Sequence, residues 1–283
     1  MGDKIKVQDR HWSDERWSDS LWEVYALRYA DRPGRTRSDS FIFDDDHASP
    51  HDMDYFIWAL RSGDRTIIVD TGYDEAEAKR RNRPILRDPA RQLAQFGIDP
   101  EGVTDVVITH LHYDHAGCLG AFPNARLHLQ EAEMAYATGP CMCHPVLQMP
   151  FTADHVCEMV QRVYSGRVQF YDGTGQVAPG VTVHCTGGHS RGLQAVRVAT
   201  NHGSLVLASD AAHYYENWMA KKPFPIVVDM QSMLDGFETI QSLASRPEFV
   251  IPGHDPFVRE LFPAAEGAPD VYRLDAEPLK KLD

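Results

Sequence analysis

Apolar and polar positions change period several times along the chain. Residues 53–72, MDYFIWALRSGDRTIIVDTG, predict two strands joined by Ser62-Gly63-Asp64, a hairpin turn. Asp88-Pro89 before RQLAQFG predicts a helix with an aspartate cap, a proline in its first turn and Gly97 at its end. TDVVITH, with its run of apolar β-branched residues, predicts a buried strand. ARLHLQ predicts another strand, followed by a helix near EAEMAYA. Residues 139–170 resemble an insertion punctuated by Pro140, Pro145 and Pro150, with a helix from about Ala153 to Tyr164. VTVHCTGG is then a strand ending in glycines, and LQAVRVATNHGSLVLASD a hairpin across Asn201-His202-Gly203. Met230, Met233, Leu234, Phe237, Ile240 and Leu243 follow a helical period, and EFVIPGHD predicts a last short strand. Residues 1–40, with Trp12, Trp17 and Trp22, show no clear period and are read as an aromatic extension.

The polar residues with chemistry lie just after the strands. Asp70 follows TIIV, His110 follows VVIT, His189 follows VTVHCTGG, Asp210 follows LVLAS and His254 follows FVIPG. Strand ends that present His and Asp together describe a site at one edge of a sheet, where a rigid scaffold aims side chains from loops. The densest signal is His110-Leu111-His112-Tyr113-Asp114-His115. Imidazole and carboxylate are ligands suited to zinc and similar divalent ions, and a solvated turn has no need of so many directly after a buried strand.

Composition narrows the function classes. The 283 residues are 43% hydrophobic and 24% charged, ordinary for a globular protein. Lys plus Arg is 28 and Asp plus Glu is 41, a net charge of −13. That argues against non-specific nucleic-acid or anionic-membrane binding, while leaving room for a small basic pocket. No apolar run is long enough to span a membrane, and the first residues have no signal-peptide core, so the expected location is cytoplasmic. Five cysteines, an odd number, argue against a disulfide framework. Cys141, Cys143 and His144 form a Cys-x-Cys-His cluster without the second pair a structural zinc site needs, so they are read as lid residues.

His110–His115 resembles the HxHxDH motif of the metallo-β-lactamase superfamily. Asp70-Thr71-Gly72, Gly188-His189-Ser190, Asp210 and Gly253-His254 match the family's other motifs in order. The resemblance covers about residues 54–257 and is strongest to N-acyl-homoserine-lactone lactonases and related lactone hydrolases. It implies an αββα sandwich, two mixed sheets with helices outside, read as a single domain over 1–283. It also implies two Zn2+ per chain, other divalent metals being acceptable. One would be held by His110, His112 and His189, the other by Asp114, His115 and His254, with Asp210 between them. Asp70 would orient a ligand histidine. His128, His184 and His202 fall outside the pattern and are read as structural or solvent-facing, and Tyr113 as a spacer packed beneath the loop.

The implied reaction is hydrolysis of a lactone by a metal-bridging hydroxide, with Asp114 moving the proton. The first expectation for substrate is an N-acyl-homoserine lactone, which ties the chain to quorum quenching. Another aromatic or catabolic lactone is the alternative, then a glyoxalase II-like thioesterase, then a mononuclear iron persulfide dioxygenase. Homoserine-lactone lactonases commonly carry a tyrosine three residues after the bridging aspartate; here that position is His213, followed by Tyr214 and Tyr215. Either His213 or a tyrosine such as Tyr214 then meets the lactone carbonyl. The third motif also reads Thr186-Gly187-Gly188-His189, without the proline the family often has. Met142, Leu147, Met149, Phe151 and Met159 could line a cleft or pack an interface, and Lys221 or Lys222 could meet an anionic substrate or be solvated. The expected partner is a small-molecule lactone, with no nucleic acid or membrane, and a homodimer is left open.

Overall fold

The computed structural model describes residues 20–282. Twelve strands form two sheets. Along the chain they are β1 (Glu23–Arg32), β2 (Met53–Ser62), β3 (Arg65–Val69), β4 (Asp105–Val107), β5 (Arg126–Gln130), β6 (Val168–Tyr171), β7 (Thr174–Ala178), β8 (Val181–Cys185), β9 (Gln194–Thr200), β10 (Gly203–Ser209), β11 (Val250–Pro252) and β12 (Val271–Arg273). The helices are α1 (Arg37–Ser40), α2 (Glu75–Arg81), α3 (Pro89–Gln95), α4 (Glu131–Ala137), α5 (Pro145–Gln148), α6 (Ala153–Tyr164), α7 (Tyr215–Met219), α8 (Met230–Leu243) and α9 (Val258–Leu261).

The first sheet has the order β12-β1-β2-β3-β4-β5-β6, antiparallel as far as β3 and parallel from β3 to β6. The second has the order β11-β10-β9-β8-β7, antiparallel except for the parallel β10–β11 pair. Strand alternation divides the apolar side chains between two cores. Phe56, Trp58 and Leu60 of β2 join Val181, Val183 and Leu205 of the second sheet in one core. Tyr55, Ile57 and Ala59 belong to the other core, with Leu93 of α3 and Met159 of α6. The first core also takes Met233, Phe237 and Ile240 of α8. Strands apolar on both faces need cover on both, which gives two mixed sheets flanked by helices.

The hairpin at Gly63, the capped α3, the span of α6 and the β9–β10 hairpin form where the sequence expects them. Asp88 accepts the Arg91 N–H at 2.8 Å, the side-chain cap its position implies. The aromatic extension read for residues 1–40 needs correction over its second half. Residues 23–32 form β1, a full member of the first sheet, and Trp22 is buried against Pro179, whose carbonyl accepts its indole N–H at 2.9 Å. Trp12 and Trp17 lie outside the described residues. EFVIPGHD does not hold the last strand either, since β12 follows it and pairs with β1. Within the insertion, β6 closes the edge of one sheet, and Asp172-Gly173 turns the chain into β7 at the edge of the other.

Candidate metal centre

Asp70, His110, His189, Asp210 and His254 follow the ends of β3, β4, β8, β10 and β11. Two of these ends carry unusual backbone. Asp70 and Ser209 are left-handed, with φ of 61° and 47°, so the chain turns sharply where it leaves the sheet. Two glycines are required by close approach. A Cβ at Gly253 would stand 2.5 Å from the Asp210 carboxylate, and one at Gly188, whose φ is +86°, would stand 2.6 Å from the Met233 backbone.

The turns bring all the expected side chains together. His110, His112 and His189 offer nitrogens to one point, and Asp114, His115 and His254 offer ligand atoms to a second. Asp210 reaches both groups. Its Oδ2 lies 3.1 Å from His189 Nε2, and its Oδ1 lies 3.1 Å from His254 Nε2 and 3.3 Å from His115 Nε2. His112 Nδ1 and His189 Nε2 stand 2.9 Å apart, a separation that requires a shared proton or a shared cation. Every one of these residues is buried.

The donor set fits divalent metals. His110 Nε2, His115 Nε2 and Asp210 Oδ1 are buried without a hydrogen-bond partner, an arrangement that costs free energy unless something meets them. The opposite ring nitrogens are held. His115 Nδ1–H donates to Asp70 Oδ2 at 2.7 Å, and His254 Nδ1–H donates to the Asp54 carbonyl at 2.9 Å. Each bond fixes its ring and turns the Nε2 toward Asp210. Asp70 is itself fixed by the Thr109 N–H at 2.7 Å and the Thr109 hydroxyl at 2.8 Å. Burial, and then neighbouring imidazoles, hold His110 and His112 well below the usual histidine pKa, so both keep their lone pairs. Burial pulls His115 the same way, but Asp210, Asp70 and Asp114 outweigh it and hold it well above.

A buried carboxylate that the motifs do not point to joins the two ligand loops. Glu133 of α4 accepts the Leu111 N–H at 2.9 Å, the Ser190 hydroxyl at 2.7 Å and the Gly192 N–H at 3.0 Å. It therefore ties the loop after β4 to the loop after β8. Its only sequence signal is its place in the first turn of the predicted helix.

Above the cluster lies a cavity of about 80 Å3. His112, Asp114, His189, Asp210, His213 and His254 form its floor. His213 Nε2–H donates to Asp210 Oδ2 at 2.9 Å, and its ring stacks on Phe224 at 3.8 Å. Tyr214 does not line this cavity; its hydroxyl meets Ser40 Oγ at 3.3 Å, and its ring packs on His51 at 4.2 Å. Tyr113 lines the wall as well as packing beneath the loop, and its hydroxyl accepts from Arg83.

The proposed specificity residues are dispersed. Pro150 alone of the insertion reaches the cavity, while Met142, Met149 and Phe151 line a separate groove and Met159 is core. Lys221 pairs with Glu238 at 3.0 Å and Lys222 with Glu216 at 2.8 Å, so neither meets the site. The cations that do line it are Arg32, Arg35 and Arg83, which the motif reading missed. Their signal was present in RYADRPGR and KRRNR, two basic stretches in an acidic chain. His128, outside the pattern, is held between Asp105 Oδ1 at 2.9 Å and the Tyr171 hydroxyl at 2.8 Å.

Known proteins resemble this chain in sequence and fold. An N-acyl homoserine lactonase of Bacillus cereus is 27% identical over 217 residues, covering 70% of this chain and 81% of the relative. The structure of an N-acyl homoserine lactone hydrolase with the product N-hexanoyl-L-homoserine bound at the catalytic metal centre superposes with a TM-score of 0.70 at 21% identity, covering 84% of this chain and 94% of that one. That of AidC, a dizinc quorum-quenching lactonase in complex with a product, has a TM-score of 0.65 at 17% identity, covering 93% and 96%. The metallo-beta-lactamase superfamily model matches residues 54–254, most of the chain, and the chain belongs to that superfamily.

Proposed function

We propose that this protein is a dinuclear zinc hydrolase that opens the ring of a lactone, with N-acyl homoserine lactones as the reference substrate class. The observation that carries the reading is the convergence of two ligand triads on Asp210 beneath one cavity. Two neighbours of the same fold solved with a product bound, one of them at its catalytic metal centre, are lactonases, which supports it.

His110, His112 and His189 would hold one cation, Asp114, His115 and His254 the other, and Asp210 would bridge them. Bound divalent cations supply Lewis acidity, which lowers the pKa of water toward about 7 and polarises a carbonyl. The chain's own residues arrange the rest. Asp114 lines the cavity, and its carboxylate accepts no hydrogen bond from the described residues, so it is free to take a proton from the attacking water and return it to the ring oxygen as that leaves. His213, whose Nε2–H is taken up by Asp210 and whose ring stacks on Phe224, forms the corner of the cavity where the lactone would lie; burial pushes its pKa down to about 3, so its ring stays neutral there. Phe224 stacks on His213 behind that corner, and Pro225 and Ile226 line the cavity beside it.

The test is acid release from N-acyl homoserine lactones by protein whose metal content has been quantified. About two zinc per chain with ring opening is the expected result. Metal-loaded protein that leaves every lactone intact overturns the reading, and a single iron per chain overturns the dinuclear assignment.

A further inference from the structure

The cavity over the His/Asp cluster is ringed by arginines that no carboxylate among the described residues contacts. Arg32 ends β1, Arg35 follows in the next turn, and Arg83 comes just after α2. Several other arginines hold carboxylates. Arg28 meets Asp54 at 3.2 Å and Asp270 at 2.9 Å, and Arg37 meets Glu216 at 2.6 Å. The cavity arginines do not do so among the described residues. Arg83 donates to the Tyr113 hydroxyl. Arg35 is only 8% exposed; it donates one Nη to the Asp39 carbonyl at 2.7 Å, and its Nε is buried without a partner. The Arg32 side chain has no hydrogen bond or ion pair with a described residue. The acid at the rim, Asp39, accepts the Thr36 N–H at 3.0 Å and feels Arg35 and Arg32 only through space, and Asp114 and Asp210 belong to the floor.

This placement runs against the average of the molecule. A chain of net charge −13 repels anions at long range, yet it gathers three guanidinium groups around one small cavity. Arg35 is buried and Arg32 and Arg83 are half-buried, and withdrawing a cation from water without a contacting counter-charge is costly, so such a cluster marks a place where an anion completes the charge balance. Guanidinium is the side chain that pairs with planar carboxylate through two parallel bonds.

We propose that the preferred substrate is a lactone bearing a carboxylate outside the ring, held by Arg32 and Arg83 with Arg35 behind them. This rests on the lactone-hydrolase reading and narrows its substrate class. The ring ester would lie over the His/Asp floor while the carboxylate meets the arginine rim.

The experiment compares kcat/KM of the zinc-loaded protein for N-succinyl-homoserine lactone, its methyl ester and N-butanoyl-homoserine lactone. The same acid–ester pair built on plain γ-butyrolactone serves as a second ring context. The acid is expected to exceed its ester by about 10-fold or more, chiefly through KM, and the ratio to shrink as salt is raised. Arg32→Gln, at a side chain the fold does not use, should bring the ratio toward one. Arg83→Gln should act in the same direction. Equal opening of acid and ester, or preference for the ester, overturns the inference and leaves the hydrolase reading standing. Failure to open any of the lactones overturns the hydrolase reading itself. An acid–ester ratio that survives both substitutions shows that the arginines are not its source.

Discussion

At the scale of the residue, Asp70 shows how a side chain acts on the site without facing the cavity. It sits at the end of β3 in the left-handed region, is fully buried, and receives Thr109 twice and His115 once. Burial pushes its carboxyl up, and His115 and the Thr109 donors pull against that. Its effect on a cation passes through the orientation and basicity of the His115 ring. Asn is tolerated in the left-handed region and keeps the shape, but offers one oxygen where the carboxylate offers two. Asp70→Asn should therefore weaken metal binding by roughly 10- to 100-fold while the protein still folds. Chelator competition measures this, and an unchanged metal affinity would refute the orienting role. The ligands themselves were legible because chemistry concentrates them: six positions hold three histidines and an aspartate. The arginine rim was not, because basic stretches such as RYADRPGR and KRRNR do not say which of their arginines the fold turns to the cavity.

At the scale of the element, periodicity found strands with an explicit turn, or with a plain run or alternation of apolar residues as in β4, β5 and β8, and missed those without. β2 and β3 announce themselves through Gly63, and β9 and β10 through Gly203. β1 does not, since EVYALRYADR is apolar on both faces and interrupted by Arg28, whose charge is answered by Asp54 and Asp270 from distant parts of the chain. Short edge strands such as β6 and β12 carry too few residues for any pattern. Similar distant pairing fixes α1. Arg37 of α1 donates two bonds to Glu216 of α7, at 2.9 and 2.6 Å, and Lys222 adds a third at 2.8 Å. The Arg37 hydrogen bonds, above all, lower Glu216 to about 2. A carboxylate depressed in the folded state contributes stability above its ordinary pKa near 4.5 and loses it as pH falls toward 2. Glu216 is about a third exposed, so its contribution should stay below about 1 kcal/mol. Wild type and Glu216→Gln should differ in Tm by at most a few degrees at pH 6, at roughly 2–4 °C per kcal/mol, with the gap narrowing below about pH 4.5 and closing as pH approaches 2. A gap that stays constant across that range would show that the pair contributes through shape and not charge.

At the scale of the whole molecule, the site is the place where the two sheets are joined by chemistry as well as by packing. Asp70, His110, His112, Asp114 and His115 come from the first sheet, and His189, Asp210 and His254 from the second. Glu133 already links the two ligand loops, and β6 and β7 carry the chain across, so the sheets meet without a cation. What they lack without one is a partner for His110 Nε2, His115 Nε2 and Asp210 Oδ1. A ligand that binds the folded state alone stabilises it by about 4 kcal/mol when present at a thousand times its Kd. For a chain of this size that is roughly 8–16 °C in Tm. Stripping metal with a chelator should lower Tm by an amount of this order, and zinc should restore it. The secondary structure seen by circular dichroism should persist below the new midpoint, because both cores remain packed. His110→Ala should start near the stripped value and gain little from added zinc. A Tm indifferent to the chelator in protein shown to have lost its metal would mean that packing and Glu133 alone hold the two halves of the site in register.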